Sequence, residues 1–164
     1  MLACVDVDYR PELTVAGCVL FRNWTDGHES SHLVEHGPPA APYEPGQFYR
    51  RELPHLLRVL ARVEVPLEAI IVDGYAWLGE DRPGLGAHLY EALNREVPVI
   101  GVAKTAYVTT GPSVPVLRGK SLRPLFVSGA GIDSAVAAEH IRRMHGASRT
   151  PTMLNRVDRL CRTS

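Results

Sequence analysis

Carboxylates from three separate segments and one lysine stand where the pattern of the chain can bring them together. Asp6 and Asp8 are two apart in the alternating run ACVDVDY at 3–9. In a strand both leave one face while Val5 and Val7 leave the other. Two like charges there repel unless a cation or base lies between them, although a solvent-facing strand has the same pattern. Asp73 ends the apolar run AIIVDG at 69–74 and precedes Gly74. Ligands of α/β sheets gather at the carboxyl ends of strands, while Asp-Gly is also an ordinary turn start. Glu52 lies four residues after Phe48 and four before Leu56, on an apolar helical stripe where a carboxylate needs a partner. Lys104 ends VIGVAK, again beyond a buried strand. The chain has two lysines against sixteen arginines, so a lysine at such a place asks for a reason, and a compact ammonium suits a reacting phosphate. Mg²⁺ prefers carboxylate oxygens and keeps waters that a substrate phosphate can displace. Metal-assisted phosphodiester hydrolysis is the chemistry these residues suggest.

The elements that must position them read as follows. Residues 3–9 and 15–21 form a β-hairpin, with a weaker third strand near His32 to Glu35. A helix over 47–63 carries Leu56, Leu57, Leu60 and Val63 on one face, and Pro54 either opens or kinks it. Short apolar runs at 69–74, 97–103 and 124–129 are buried strands. Helices follow at 85–96, 132–144 and 151–162, the second opened by Asp133 or Ser134 and the third by Thr150 with Pro151. Residues 109–121 read as a turn-rich excursion. The expectation is an α/β fold with a mixed central sheet and helices on both faces, in a single domain over 1–164, since no repeat or linker divides the chain.

Composition agrees with that class. With 164 residues, 45% apolar and 22% charged, the chain can bury roughly 70% of its unfolded surface and needs no staple. No apolar stretch approaches the ~20 residues of a membrane span. Asp6 and Asp8 fall where a secretory signal needs its apolar region, so a cytoplasmic protein is expected. Cys4, Cys18 and Cys161 share no metal-ligand or disulfide spacing. The net charge of zero hides an asymmetry: residues 1–50 carry 3 basic and 7 acidic groups, residues 111–164 carry 9 and 3. A solvated basic helix has the same pattern; on the nuclease reading Arg118, Arg123, Arg142, Arg143 and Arg149 are the candidates for phosphate contacts.

The motifs also resemble a known family, the endonuclease V nucleases that recognise deaminated adenine, inosine, in DNA or RNA. The segments are AxVDVxY at 3–9, PYEPGQFYRRELP at 42–54, VDG at 72–74 running into LGAHL, and VPVIGVAK at 97–104, with PLFVSGAG at 124–131 a weaker fifth. The resemblance implies a ribonuclease H-like fold and a Mg²⁺ ion that Mn²⁺ can replace. Asp6 and Asp73 match its metal-binding aspartates, Glu52 its catalytic glutamate and Lys104 its active-site lysine. Tyr43 matches the wedge between strands. Gly46, Phe48, Gly74, Gly84 and Leu85 fall where the family lines its pocket for the flipped-out base, whose extrusion is cheapest when pairing is already weak.

The departures are specific. The family usually has a His six residues after the second aspartate, where this chain has Gly79, and another in the turn after the last strand, where it has Gly131. The family's extension before the first strand is also expected to be absent. Asp133 fits a helix cap better than a replacement ligand, and His88 beside Leu85 and Leu89 fits a core edge. The implied activity is hydrolysis of a phosphodiester 3′ to inosine. A binding homologue that no longer cuts is the alternative, and a doubly wound small-ligand domain is a more distant one.

Overall fold

The computed structural model describes residues 1–45, 47–107 and 111–164. Gly46, expected in the base pocket, lies outside the described residues. The hairpin forms as β1 (Leu2–Tyr9) and β2 (Thr14–Phe21), and β3 (Ser31–Gly37) extends it. Then come α1 (Phe48–Leu60), β4 (Ala69–Asp73), β5 (Trp77–Gly79), β6 (Arg82–Pro83), α2 (Leu85–Ala92), β7 (Val99–Ala103), β8 (Val114–Val116), β9 (Leu125–Ala130), α3 (Ser134–Arg143) and α4 (Thr152–Thr163).

One sheet runs in the order β3-β2-β1-β4-β7-β9-β8. β1, β4 and β7 are parallel neighbours, and the strands flanking them pair antiparallel. The alternation in β1 decides which layer each side chain enters. Ala3, Val5 and Val7 pack with Ile70, Val72, Leu56 and Leu89 under α1 and α2. Leu2 and Cys4 pack with Ile71, Val102, Val127, Ile141 and Val157 under α3 and α4. Burial on both faces explains why β4 and β7 are continuous apolar runs. The mixed sheet with helices on both faces is thus as expected.

The differences have local causes. Pro54 lies inside α1, so it removes one interior hydrogen bond and does not open the helix. α2 stops at Ala92, short of 96, because Asn94 and Arg95 take positive φ of 57° and 60°, the left-handed turn that ends helices. The excursion after β7 contains β8, which adds an edge strand, and β5 pairs with β6 as a separate hairpin between β4 and α2. Asp133 caps α3, accepting from the amides of Ala135 and Val136. Among the described residues no helix is long and apolar enough to cross a membrane.

Candidate active site

The register of the parallel strands builds the site. Val5 pairs with Val72, the last matched positions of β1 and β4. The next residues are Asp6 and Asp73, side by side at the carboxyl edge of strands spaced about 4.8 Å apart. Both leave the face on which α4 packs. Asp73 is in turn level with Val102 of β7. Lys104 follows β7 immediately, and its Nζ lies 3.1 Å from Asp73 Oδ2. Glu52 approaches from the opposite layer on α1, only 7% exposed. Asp6, Glu52, Asp73, Lys104, Tyr9 and Tyr43 all line one open cleft of about 920 Å³.

Burial, and after it the charge of neighbouring carboxylates, raises the pKa of Asp6 and of Glu52. Asp6 is pushed up to about 7, first by burial, then by the charges of Asp73 and Asp158, against the pull of the Val7 amide 2.9 Å away and of Lys104. Glu52 is pushed up to about 8, by burial first and then by the charge of Asp6. The Tyr9 hydroxyl is buried beside Glu52 without a well-aligned hydrogen bond, and the Arg51 guanidinium lies 4.1 Å from the Tyr9 ring centroid. Negative charge concentrated in a desolvated corner favours a bound cation or a proton.

Sequence reasoning missed Asp158. It lies on α4, lines the same cleft and adds to the field on Asp6. Its ion pair with Arg162 at 3.1 Å has the i,i+4 spacing of an ordinary surface pair, which hides it.

Beside the cleft lies a second cavity of about 330 Å³, lined by Tyr43, Phe48, Gly74, Gly84 and Leu85 together with Tyr49, Tyr75, Leu78 and Tyr107. Four of the five expected base-pocket residues and the expected wedge, Tyr43, are therefore together. Tyr43 is 56% exposed and Phe48 42%, free to meet a flat ligand. Gly74 has φ 137°, a conformation that favours glycine. Tyr75 and Tyr107 escaped sequence reasoning, although each stands within three residues of Asp73 or Lys104.

Gly79 and Gly131 stand where the family histidines were expected. At Gly131, φ is 76° and a Cβ would come within 2.4 Å of the Tyr90 ring, so a side chain there needs Tyr90 to move. His88 stacks on Tyr49 with centroids 3.5 Å apart, as a core-edge residue does. Arg118 is a correction to the expected phosphate contacts. It is 5% exposed and donates to the carbonyls of Met144 at 2.6 Å and Gly146 at 3.1 Å, and to those of Ser148 and Arg149. Arg149 likewise donates to the carbonyls of Lys104, Arg123 and Pro124, and Arg142 pairs with Glu139. Arg123 and Arg143 remain exposed.

Among the described residues no three His, Cys, Asp or Glu side chains form a ready metal cage. Magnesium does not need one, since one or two carboxylates hold it and water or phosphate completes its shell. The hard oxygen donors of Asp6 and Asp73, with their shared excess of negative charge, fit such an ion.

The family model for Endonuclease V matches residues 1–120. The chain is 31% identical over 143 residues to an endonuclease V of Streptomyces coelicolor, covering 75% of this chain and 60% of that protein. It thus spans less than two thirds of the first curated relatives it matches. The crystal structure of endonuclease V from Streptomyces avermitilis superposes with a TM-score of 0.77 at 29% identity, covering 98% of this chain and 79% of that one. Endonuclease V of Ciona intestinalis, in complex with DNA containing an inosine followed by a ribo-adenosine, has the same fold, with a TM-score of 0.81 at 19% identity over 98% of this chain and 83% of that one.

Proposed function

The chain belongs to the endonuclease V family, and on that premise we propose that it is a Mg²⁺-dependent endonuclease hydrolysing the phosphodiester 3′ to a deaminated base, inosine, in DNA or RNA. The observation that carries the reading is that Asp6 and Asp73 follow directly on the last matched pair of β1 and β4, Val5 and Val72, and line one cleft next to an aromatic-lined cavity of about 330 Å³, a size that suits a flat base.

Asp6 and Asp73 would hold the ion, Mg²⁺ or Mn²⁺, with Asp158 as a further carboxylate on the α4 side. A divalent cation, once bound, activates water and polarises phosphate. Glu52, whose carboxyl is pushed up to about 8 by burial and the charge of Asp6, would take or return a proton of the attacking water. Lys104 carries positive charge to the phosphate. Tyr43 wedges beside the lesion, and Phe48, Gly74, Gly84 and Leu85 form the base pocket. The three cysteines are free and buried, which suits a reducing cytoplasm.

The test is an oligonucleotide with a single inosine, incubated with Mg²⁺ or Mn²⁺. Scission one nucleotide beyond the inosine on its 3′ side, lost in Asp73→Ala, is expected. Scission that survives this substitution would come from a contaminant. A second reading is favoured by Gly79 and Gly131: a homologue that binds inosine-containing strands without cutting. It predicts salt-dependent binding with no product in either metal.

A further inference from the structure

The turn after β4 and the loop after β7 are tied through one side chain. The Tyr75 hydroxyl donates to the carbonyl of Thr105 at 2.7 Å and accepts the amide of Tyr107 at 2.9 Å. Tyr75 is two residues past Asp73, and Thr105 directly follows Lys104, so this pair of bonds runs parallel to the Lys104–Asp73 ion pair. The rings of Tyr75 and Tyr107 lie 6.0 Å apart and both wall the smaller cavity. The Arg82 guanidinium stands over the Tyr107 ring, 5.9 Å from its centroid.

We propose that Tyr75 is a positioning residue whose hydroxyl fixes the Lys104–Tyr107 segment, so that the cavity wall and the active-site ammonium are set by the same two hydrogen bonds. The proposal rests on the nuclease reading for its kinetic consequence, but not for its structural one. A phenol is suited to the task because its single hydroxyl can donate to a carbonyl and accept from an amide at once. Phenylalanine keeps the ring and loses both bonds.

The experiment compares Tyr75→Phe with the unaltered chain, in the wild-type background and in Lys104→Ala. In the wild-type background kcat on the inosine oligonucleotide should fall roughly tenfold or more, the scale of small displacements of reacting groups, with KM changing less. In the Lys104→Ala background the same substitution should cost less than about twofold, because the two residues act as a unit. Equal losses in both backgrounds, or none in either, would overturn the proposal. Amide hydrogen exchange gives a readout independent of cleavage: the Tyr107 amide should exchange roughly tenfold faster in Tyr75→Phe while β1 and β4 amides stay protected. An unchanged Tyr107 amide refutes the tie even if the chain cuts. A faster one in a chain that does not cut supports the tie and removes only the nuclease reading.

Discussion

Asp6 and Asp73 stand at one level on neighbouring parallel strands, one residue beyond the paired Val5 and Val72. Their closeness is set by backbone register and not by side-chain rotamers, so it survives substitution of either residue. Replacing charge by amide there tests chemistry without disturbing the sheet.

Asp6→Asn and Asp73→Asn should each lower cleavage by about 10²-fold or more, the usual cost of removing a group that stabilises developing charge. Thermal melts with and without Mg²⁺ give the binding side. The unaltered chain should gain stability as the ion saturates it, and the double variant should gain none. A shift that persists in the double variant would put the ion elsewhere.

Glu52→Gln should separate activity from stability. The buried carboxyl is held near its Asp6 neighbour at an energetic cost, and a neutral isostere removes that repulsion. Without metal at pH 8 and above, Tm should rise, by roughly 2–4 °C for each kcal/mol relieved. Cleavage should be lost at the same time. A lower Tm would mean that the charge is compensated within the fold.

Tyr43→Ala and Phe48→Ala remove exposed rings from the cavity mouth. Each should weaken binding of an inosine oligonucleotide by roughly 1–3 kcal/mol, the range for base stacking on an aromatic side chain. Tm should hardly move, because neither ring is buried. Fluorescence anisotropy titrations at fixed salt measure the effect.

Arg118→Met should act on folding and leave nucleic-acid binding alone. It removes the charged donor to the carbonyls of Met144 and Gly146, and bonds of this kind contribute about 1.5–3 kcal/mol. Urea unfolding should show that loss. The salt slope of oligonucleotide binding should stay as it was, whereas a surface arginine would reduce it by about one.

His55 supplies a pH signature. The Thr14 hydroxyl donates to the Pro38 carbonyl at 2.9 Å, so the 3.0 Å contact with His55 Nδ1 needs the ring N–H as donor. Burial first, then the Arg58 charge, lowers the His55 pKa below its ordinary value of 6.5. The folded state therefore resists protonation. This contribution is intact above the unfolded pKa and is lost as pH falls from about 6.5 toward the folded value. In His55→Gln that part of the slope should vanish, so the difference between the two unfolding curves should shrink below pH 6.5. Parallel curves would show that the ring does not titrate differently on folding.

Asp73 and Lys104 are legible because apolar strands announce their own ends, and a charge placed there has few ways to be solvated. Glu52 is legible because it interrupts an apolar stripe. Asp158 is not, since four residues before Arg162 it has the spacing of a helix surface pair, and only packing of α4 on β1 carries it to the cleft. Arg118 misleads for a related reason: a basic segment says nothing about which guanidinium is buried among carbonyls. β8 hides behind Pro115, which a sheet edge tolerates. β5 and β6 hide in the turn-rich WLGEDRP, too short to have a period.

The thiol of Cys161 on α4 donates to the carbonyl of Asp6, 155 residues away, and Asp158 faces Asp6 across the same cleft. Contacts between such distant parts of a chain form late in folding. A polypeptide still emerging from the ribosome would therefore carry Asp6 long before the wall behind it exists, so any scission should begin only after synthesis has delivered α4.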